Sequence, residues 1–205
     1  MSGIIAQNIL DSSGLVKAPA GGGAWNFIKK LTASADGDLS FVDGTSDVVL
    51  DSTYKEYMFT FNNIHSSVRE DFQFNMSIDS GSNYNVTKTS TFFRTQQAED
   101  DSGSSLAYQG DKDLAQSTAF QSLGQYLSIG NDSSSSGYLH LFNPSSTVFV
   151  KHFICILNSV HSDAYSREQF IAGYGNTTSA VDAIQFITQT GNIDSGDICL
   201  YGLTT

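Results

Sequence analysis

The sequence predicts an all-β chain: an antiparallel two-sheet sandwich, jelly-roll-like, over residues 25–205, preceded by an N-terminal arm and glycine-rich hinge over residues 1–24. Three observations carry this expectation. Short runs that alternate apolar and polar residues recur along the chain, separated by clusters of Gly, Asp, Asn and Ser. Phe and Tyr are plentiful, at 14 and 9, while charged residues make up only 15%; aromatic, Val and Thr side chains suit a pleated, half-buried surface, whereas Glu and Lys favour helix surfaces. A length of 205 residues is enough to bury a core in one sandwich domain.

Taken in order, residues 1–24 stand apart. Ile4, Ile5, Ile9, Leu10, Leu15 and Val16 follow neither a 2.0 nor a 3.6 period, and Ala18-Pro-Ala-Gly-Gly-Gly-Ala24 has the composition of a linker. These six side chains are the candidate partner-binding residues of an arm that docks on a neighbouring subunit or another protein. A first strand of the body and a disordered tail are the competing readings. Strands are then expected over residues 25–32, 38–42, 57–61, 72–78, 85–94, 123–129, 138–142, 148–157, 183–188 and 197–203. The cleanest alternation is Phe72, Phe74, Met76 and Ile78 against Gln73, Asn75 and Ser77, a strand with one wet face. From Val148 to Leu157 both sets of alternate positions are largely apolar, which predicts a strand buried on both sides. Residues 99–105 read as a long exposed loop, 113–120 as one short helix, and 173–178 as a connection between strands.

Charge narrows the function classes. The net charge of -11, with only 10 scattered Lys and Arg, provides no basic stripe for phosphates, so nucleic acid and an anionic membrane surface are not expected partners. Such acidity suits the surface of a crowded or repeated assembly. The first ten residues lack a secretion leader, and no run approaches the ~20 apolar residues that span a bilayer, so synthesis in a cytoplasm is expected. Cys155 and Cys199 each sit in an apolar run and read as buried free thiols, a disulfide being the alternative if their strands pair.

Chemistry is sparse. No Gly-x-Ser-x-Gly elbow occurs, and the serine of Gly37-Asp-Leu-Ser40 is one residue out of place for an esterase start. His65, His140, His152 and His161 are candidate bases, with Asp163 two residues after His161, but no nucleophile pairs with them in sequence. No spacing suits nitrogen or sulfur metal ligation, and Asp43-Gly-Thr-Ser-Asp47 and Asp111-Lys-Asp113 read as solvated turn carboxylates ahead of calcium ligands. No catalytic residue, cofactor or metal is therefore expected. Exposed aromatic side chains are how many sandwiches hold sugars, and Trp25, Tyr108, Tyr165 and Tyr174 are the candidates; the alternative places Trp25 in the core and the tyrosines on loop edges.

Several segments carry a resemblance. Leu141-Phe-Asn-Pro144 precedes a strand, Ile184-Gln-Phe186 follows, and the chain finishes Gly191-Asn-Ile-Asp-Ser-Gly-Asp-Ile-Cys-Leu-Tyr-Gly-Leu203. That finish, with Asp51-Ser-Thr-Tyr-Lys-Glu-Tyr57 leading into Phe59 and Phe61, resembles bacteriophage virion surface proteins, the jelly-roll modules of head decoration (cement) and tail-fibre proteins. The resemblance implies a non-enzymatic virion protein that assembles as a homotrimer. No fibre shaft precedes the module, which favours a head decoration protein on the major capsid protein, at the virion surface, made in the host bacterial cytoplasm. A tail-fibre or tail adhesin binding host surface glycans is the runner-up.

Overall fold

In the computed structural model, which describes residues 25–204, there are twelve strands and no helix among the described residues. They are β1 (Trp25–Asp36), β2 (Asp38–Val42), β3 (Glu56–Ser66), β4 (Phe72–Ser77), β5 (Lys88–Ala98), β6 (Ser104–Tyr108), β7 (Gln121–Gly124), β8 (Ser135–Phe142), β9 (Lys151–His161), β10 (Tyr165–Gly175), β11 (Ala183–Thr188) and β12 (Ile193–Leu203). An eight-stranded sheet runs in the order β1-β12-β3-β8-β9-β10-β5-β6 and a four-stranded sheet in the order β2-β11-β4-β7. All pairings are antiparallel. The expected antiparallel, jelly-roll-like sandwich is the fold. The six arm residues Ile4, Ile5, Ile9, Leu10, Leu15 and Val16 lie outside the described residues.

Period-2 alternation places the core. Tyr57, Phe59 and Phe61 point inward from β3, and Phe72, Phe74 and Met76 from β4, all buried. Phe186 on β11 is the hub, with ring centroids 5.3 to 6.4 Å from those of Phe41, Phe59, Phe61, Phe72 and Phe74. Burying so many aromatic rings, at about 1.5–3 kcal/mol each, is the main force holding the sheets together. The finish of the chain is not a simple turn: Gly191 (φ 73°) turns, but Ile193 already starts β12, and Gly196 (φ 115°) sits in an irregular stretch of the β3 pairing. A Cβ there would come within 2.6 Å of the Asn63 carbonyl oxygen, so this position requires glycine.

Other expectations need correction. The strand expected at 148–157 starts only at Lys151, and Val148 and Phe149, each 68% exposed, belong to the preceding turn. Nor is it buried on both sides: Phe153, Cys155 and Leu157 face inward while Ile154 is 46% exposed. The Lys151 ammonium explains the offset, since it is buried and donates to the carbonyls of Ser146, Phe149 and Thr177, tying the turn beneath the strand. Residues 113–120 form turns instead of a helix, because β5 captures them: Ser90 N donates to Leu114 O, Ser90 Oγ accepts from Leu114 N, and Lys88 and Ser117 exchange backbone bonds. The expected loop at 99–105 is the tight turn of a hairpin whose second strand, β6, begins at Ser104. Tyr165 and Tyr174 are not in loops but within β10, and the connection expected at 173–178 starts only after Gly175.

The two cysteines are buried free thiols. Cys155 opposes Leu139 and Ile171 on the inner face, whereas Cys199 opposes Thr60 and Lys30, in a row that faces outward. Opposite faces of one sheet rule out a bond between them. Burial pushes the Cys155 thiol far up, so it stays protonated.

Candidate functional site

The four-stranded sheet covers only part of the larger one, and the larger sheet's outer face has no protein layer over it among the described residues. Register turns that face into rows, because residues directly opposite in an antiparallel pair point to the same side. One row reads Tyr108, Phe93, Phe170, Ile156 and Tyr138 across β6, β5, β10, β9 and β8. The next reads Thr91, Ala172, Ile154, His140, Met58, Tyr201 and Phe27 across β5 to β1. Five strands at about 4.8 Å spacing make the first row roughly 20 Å long.

The rows are ordered by ring contacts. Phe93 and Phe170 stack with centroids 4.8 Å apart and planes within 10°, a cross-strand pair worth about 0.5–1.5 kcal/mol beyond its area. His140 is a second centre: Tyr138 and Trp25 meet it edge-on at 5.2 and 5.5 Å, and its Nδ1 is 2.5 Å from Glu56 Oε1. Trp25 is thus neither a core anchor nor a free stacking platform; it lies against the outer face at its edge. Phe93, Tyr108, Tyr138, Ile154 and Phe27 keep 37 to 60% of their surface in water. Overlapping the second row, Thr89, Thr91, His152, Ile154, Ala172 and Tyr174 line a shallow groove of about 470 Å³. The His152 and Tyr174 rings stand 6.0 Å apart there.

The residues singled out as candidate chemistry do not converge. His65 Nε2 is 3.2 Å from Gly130 O, with Nδ1 3.8 Å from Asp194. His161 Nδ1 is 3.7 Å from Asp163 Oδ2 and accepts from the Asp163 backbone N–H at 3.1 Å. Its Nε2 meets no hydroxyl. Asp43 accepts from Leu50 N–H and Asp113 from the Tyr108 hydroxyl, so both are occupied as turn residues. No three His, Cys, Asp or Glu side chains are grouped among the described residues.

Sequence reasoning located Phe93 on a strand but not the side it faces, and it missed Phe170 because β10 itself escaped it. The alternation Thr91, Phe93, Thr95 was the available signal for the outer row. No protein-family profile, curated protein or solved structure matches the chain.

Proposed function

We propose that this chain is a non-enzymatic structural protein of a bacteriophage virion, a head decoration (cement) protein that seats the outer face of its eight-stranded sheet on the major capsid protein. The observation that carries this reading is the pair of apolar rows laid across that face, with Phe93 39% and Ile154 46% exposed. Exposed aromatic and aliphatic side chains lined up across one face are what an assembly interface needs and what a monomer in water avoids. The net charge of -11 agrees, since it keeps repeated copies apart in solution until they are seated. The virion assignment rests on the resemblance of the strand ends and of the final Gly-Asn-Ile-Asp-Ser-Gly stretch. Assembly as a homotrimer and display at the virion surface follow from the same resemblance.

Capsid co-sedimentation tests the reading. Ile154→Lys and Phe93→Ser should leave the β-sheet circular dichroism unchanged while lowering the bound fraction by ten-fold or more, the size expected for anchors near the centre of an interface. Full occupancy by both variants would remove the outer face from the contact. The runner-up, a tail adhesin holding host surface glycans, draws on the groove between His152 and Tyr174. Tyr174→Ala would then abolish glycan binding and leave capsid binding untouched.

A further inference from the structure

We infer that the polar region between the large sheet and residues 109–127 is a binding site for a small oxyanion of the phosphate or sulfate class, held by Arg94, Arg167 and His161. The two arginines point inward from adjacent strands. Arg94 stands opposite Gln169, and Arg167 opposite Gln96 and Ser159. Both guanidinium groups converge on one neutral acceptor: Arg94 Nη1 is 2.5 Å and Arg167 Nε 3.0 Å from Gln96 Oε1. Arg167 is only 7% exposed.

Two cations brought together, Arg167 buried and Arg94 half-buried, favour a counter-charge, because desolvation and mutual repulsion both oppose them. Among the described residues neither arginine forms an ion pair, although the chain carries 21 acidic residues. The carboxylates nearby are committed elsewhere. Asp71 is paired with Lys112 at 3.0 Å and accepts from Ser122 Oγ and Tyr126 N–H. Asp163 is paired with Arg69 at 2.8 Å. Asp111, two-thirds exposed, stands at the margin. Burial, then Arg94, pushes the Arg167 guanidinium down to about 10, with Asp163 opposing the shift only in part.

The same region holds unused hydrogen-bonding capacity. His161 Nδ1 accepts from Asp163 N–H, so the neutral ring carries its proton on Nε2. That N–H is a donor without a partner on a side chain only 4% exposed, and Arg94 Nε is a second buried donor without a partner. The Arg167 Nη atoms form no hydrogen bond among the described residues; the guanidinium lies 6.0 Å over the Tyr165 ring, and its Nη atoms are not among the buried donors without a partner. Gln125 Oε1 and Gln169 Oε1 are buried acceptors without partners, suited to waters completing the anion's shell. Waters alone would satisfy the donors but add no negative charge beyond what Asp163 and Asp111 supply from a distance. A tetrahedral oxyanion does both, taking charge-assisted bonds from two guanidinium groups on one side and the imidazole N–H on another.

The test uses the full chain, dialysed into chloride buffer, unfolded in urea and filtered, with the filtrate analysed by ion chromatography. Phosphate or sulfate near one per chain supports the site. If neither is found, melting curves in millimolar phosphate or sulfate should rise by about 5 °C over chloride at equal ionic strength, as saturation of a native-state site requires. Arg94→Gln and Arg167→Gln should keep only the small general effect of sulfate, under about 1 °C. Should those variants fail to fold, the phosphorus resonance of phosphate with the wild-type chain decides: saturable broadening reversed by sulfate and not by chloride supports the site. A filtrate without either anion, together with equal melting in all salts and an unbroadened resonance, overturns it. So does a full response in both folded variants.

Discussion

Two regions lie under the eight-stranded sheet, built from the same kind of strand and opposite in chemistry. Beneath β3 and β12 the inward positions are Phe59, Phe61, Ile198 and Leu200, packed on the Phe186 cluster. Beneath β5, β9 and β10, at their far ends, they are Arg94, Gln96, Ser159, His161, Arg167 and Gln169. The aromatic region satisfies itself, since rings need only other rings. The polar region does not, since four of its buried nitrogen and oxygen atoms lack partners. One region is therefore built to hold the fold, and the other is built around something the chain alone does not supply.

The sharpest way to break that contrast is to damage the self-sufficient half. Phe186→Ala removes the ring that five others surround. Truncating such a residue costs about 3–5 kcal/mol, the lost transfer energy plus a cavity that rigid neighbours cannot close. Urea unfolding should show the loss as a shift in midpoint with little change in slope. A loss under about 1 kcal/mol would mean that the aromatic cluster is not the main support of the sandwich.

An intermediate effect comes from a buried charge that belongs to neither region. Lys88 is buried at the start of β5, its Nζ donating to Asn75 Oδ1 and to Val86 O. Burial pushes it down to about 7. The unfolded chain, with an ordinary lysine near 10.5, binds more protons than the folded one between pH 7 and 10.5, so this group makes stability rise with pH across that window, by about 3–5 kcal/mol. The measurement is the wild-type chain minus Lys88→Met, which cancels the tyrosines and other lysines that titrate in the same range. Equal slopes for the two chains would show that the amine stays solvated.

How legible these regions were in the sequence follows from the same contrast. Phe72, Phe74 and Met76 announce β4 because their inward positions are apolar and their neighbours polar. In β10, Ser166-Arg-Glu-Gln169 is polar at every position, so no alternation marks the strand. The residues that hide β10 from a periodicity argument are the ones that build the polar region. Local rules fail where a strand spends its inward positions on something other than packing. The apparent helix at 113–120 failed for another reason. Its own residues permit helix, but bonds from Ser90 and Lys88, more than twenty residues upstream, dictate its path. The outer rows were half legible: apolar residues were placed on strands, but which face they crown depends on register with strands far away in sequence.

The smallest effect probes the polar half directly. His161 is packed by Tyr126 and Tyr165, faces Arg167, Arg94 and Arg69, and has Asp163 beside it, with Glu99 and Asp132 lining the same cleft. Burial first, and then the Arg167 charge, push its imidazole down to about 4. A histidine in the unfolded chain takes up its proton near 6.5, so between pH 6.5 and 4 the unfolded state binds more protons and the folded state loses stability as the pH falls. The loss is complete only below about pH 4, and is about 1–3 kcal/mol after allowing for the solvent at the cluster's margin. His161→Gln keeps a donor of similar reach and removes the titration, so its stability should fall less steeply than the wild type's through that window. A bound oxyanion opposes the effect, because it favours the protonated ring and raises its pKa. The difference between the two chains should therefore be largest in chloride and shrink when millimolar phosphate or sulfate is present. If the two chains track each other from pH 7 to 4 in chloride, the ring is reached by water and the polar half is not closed.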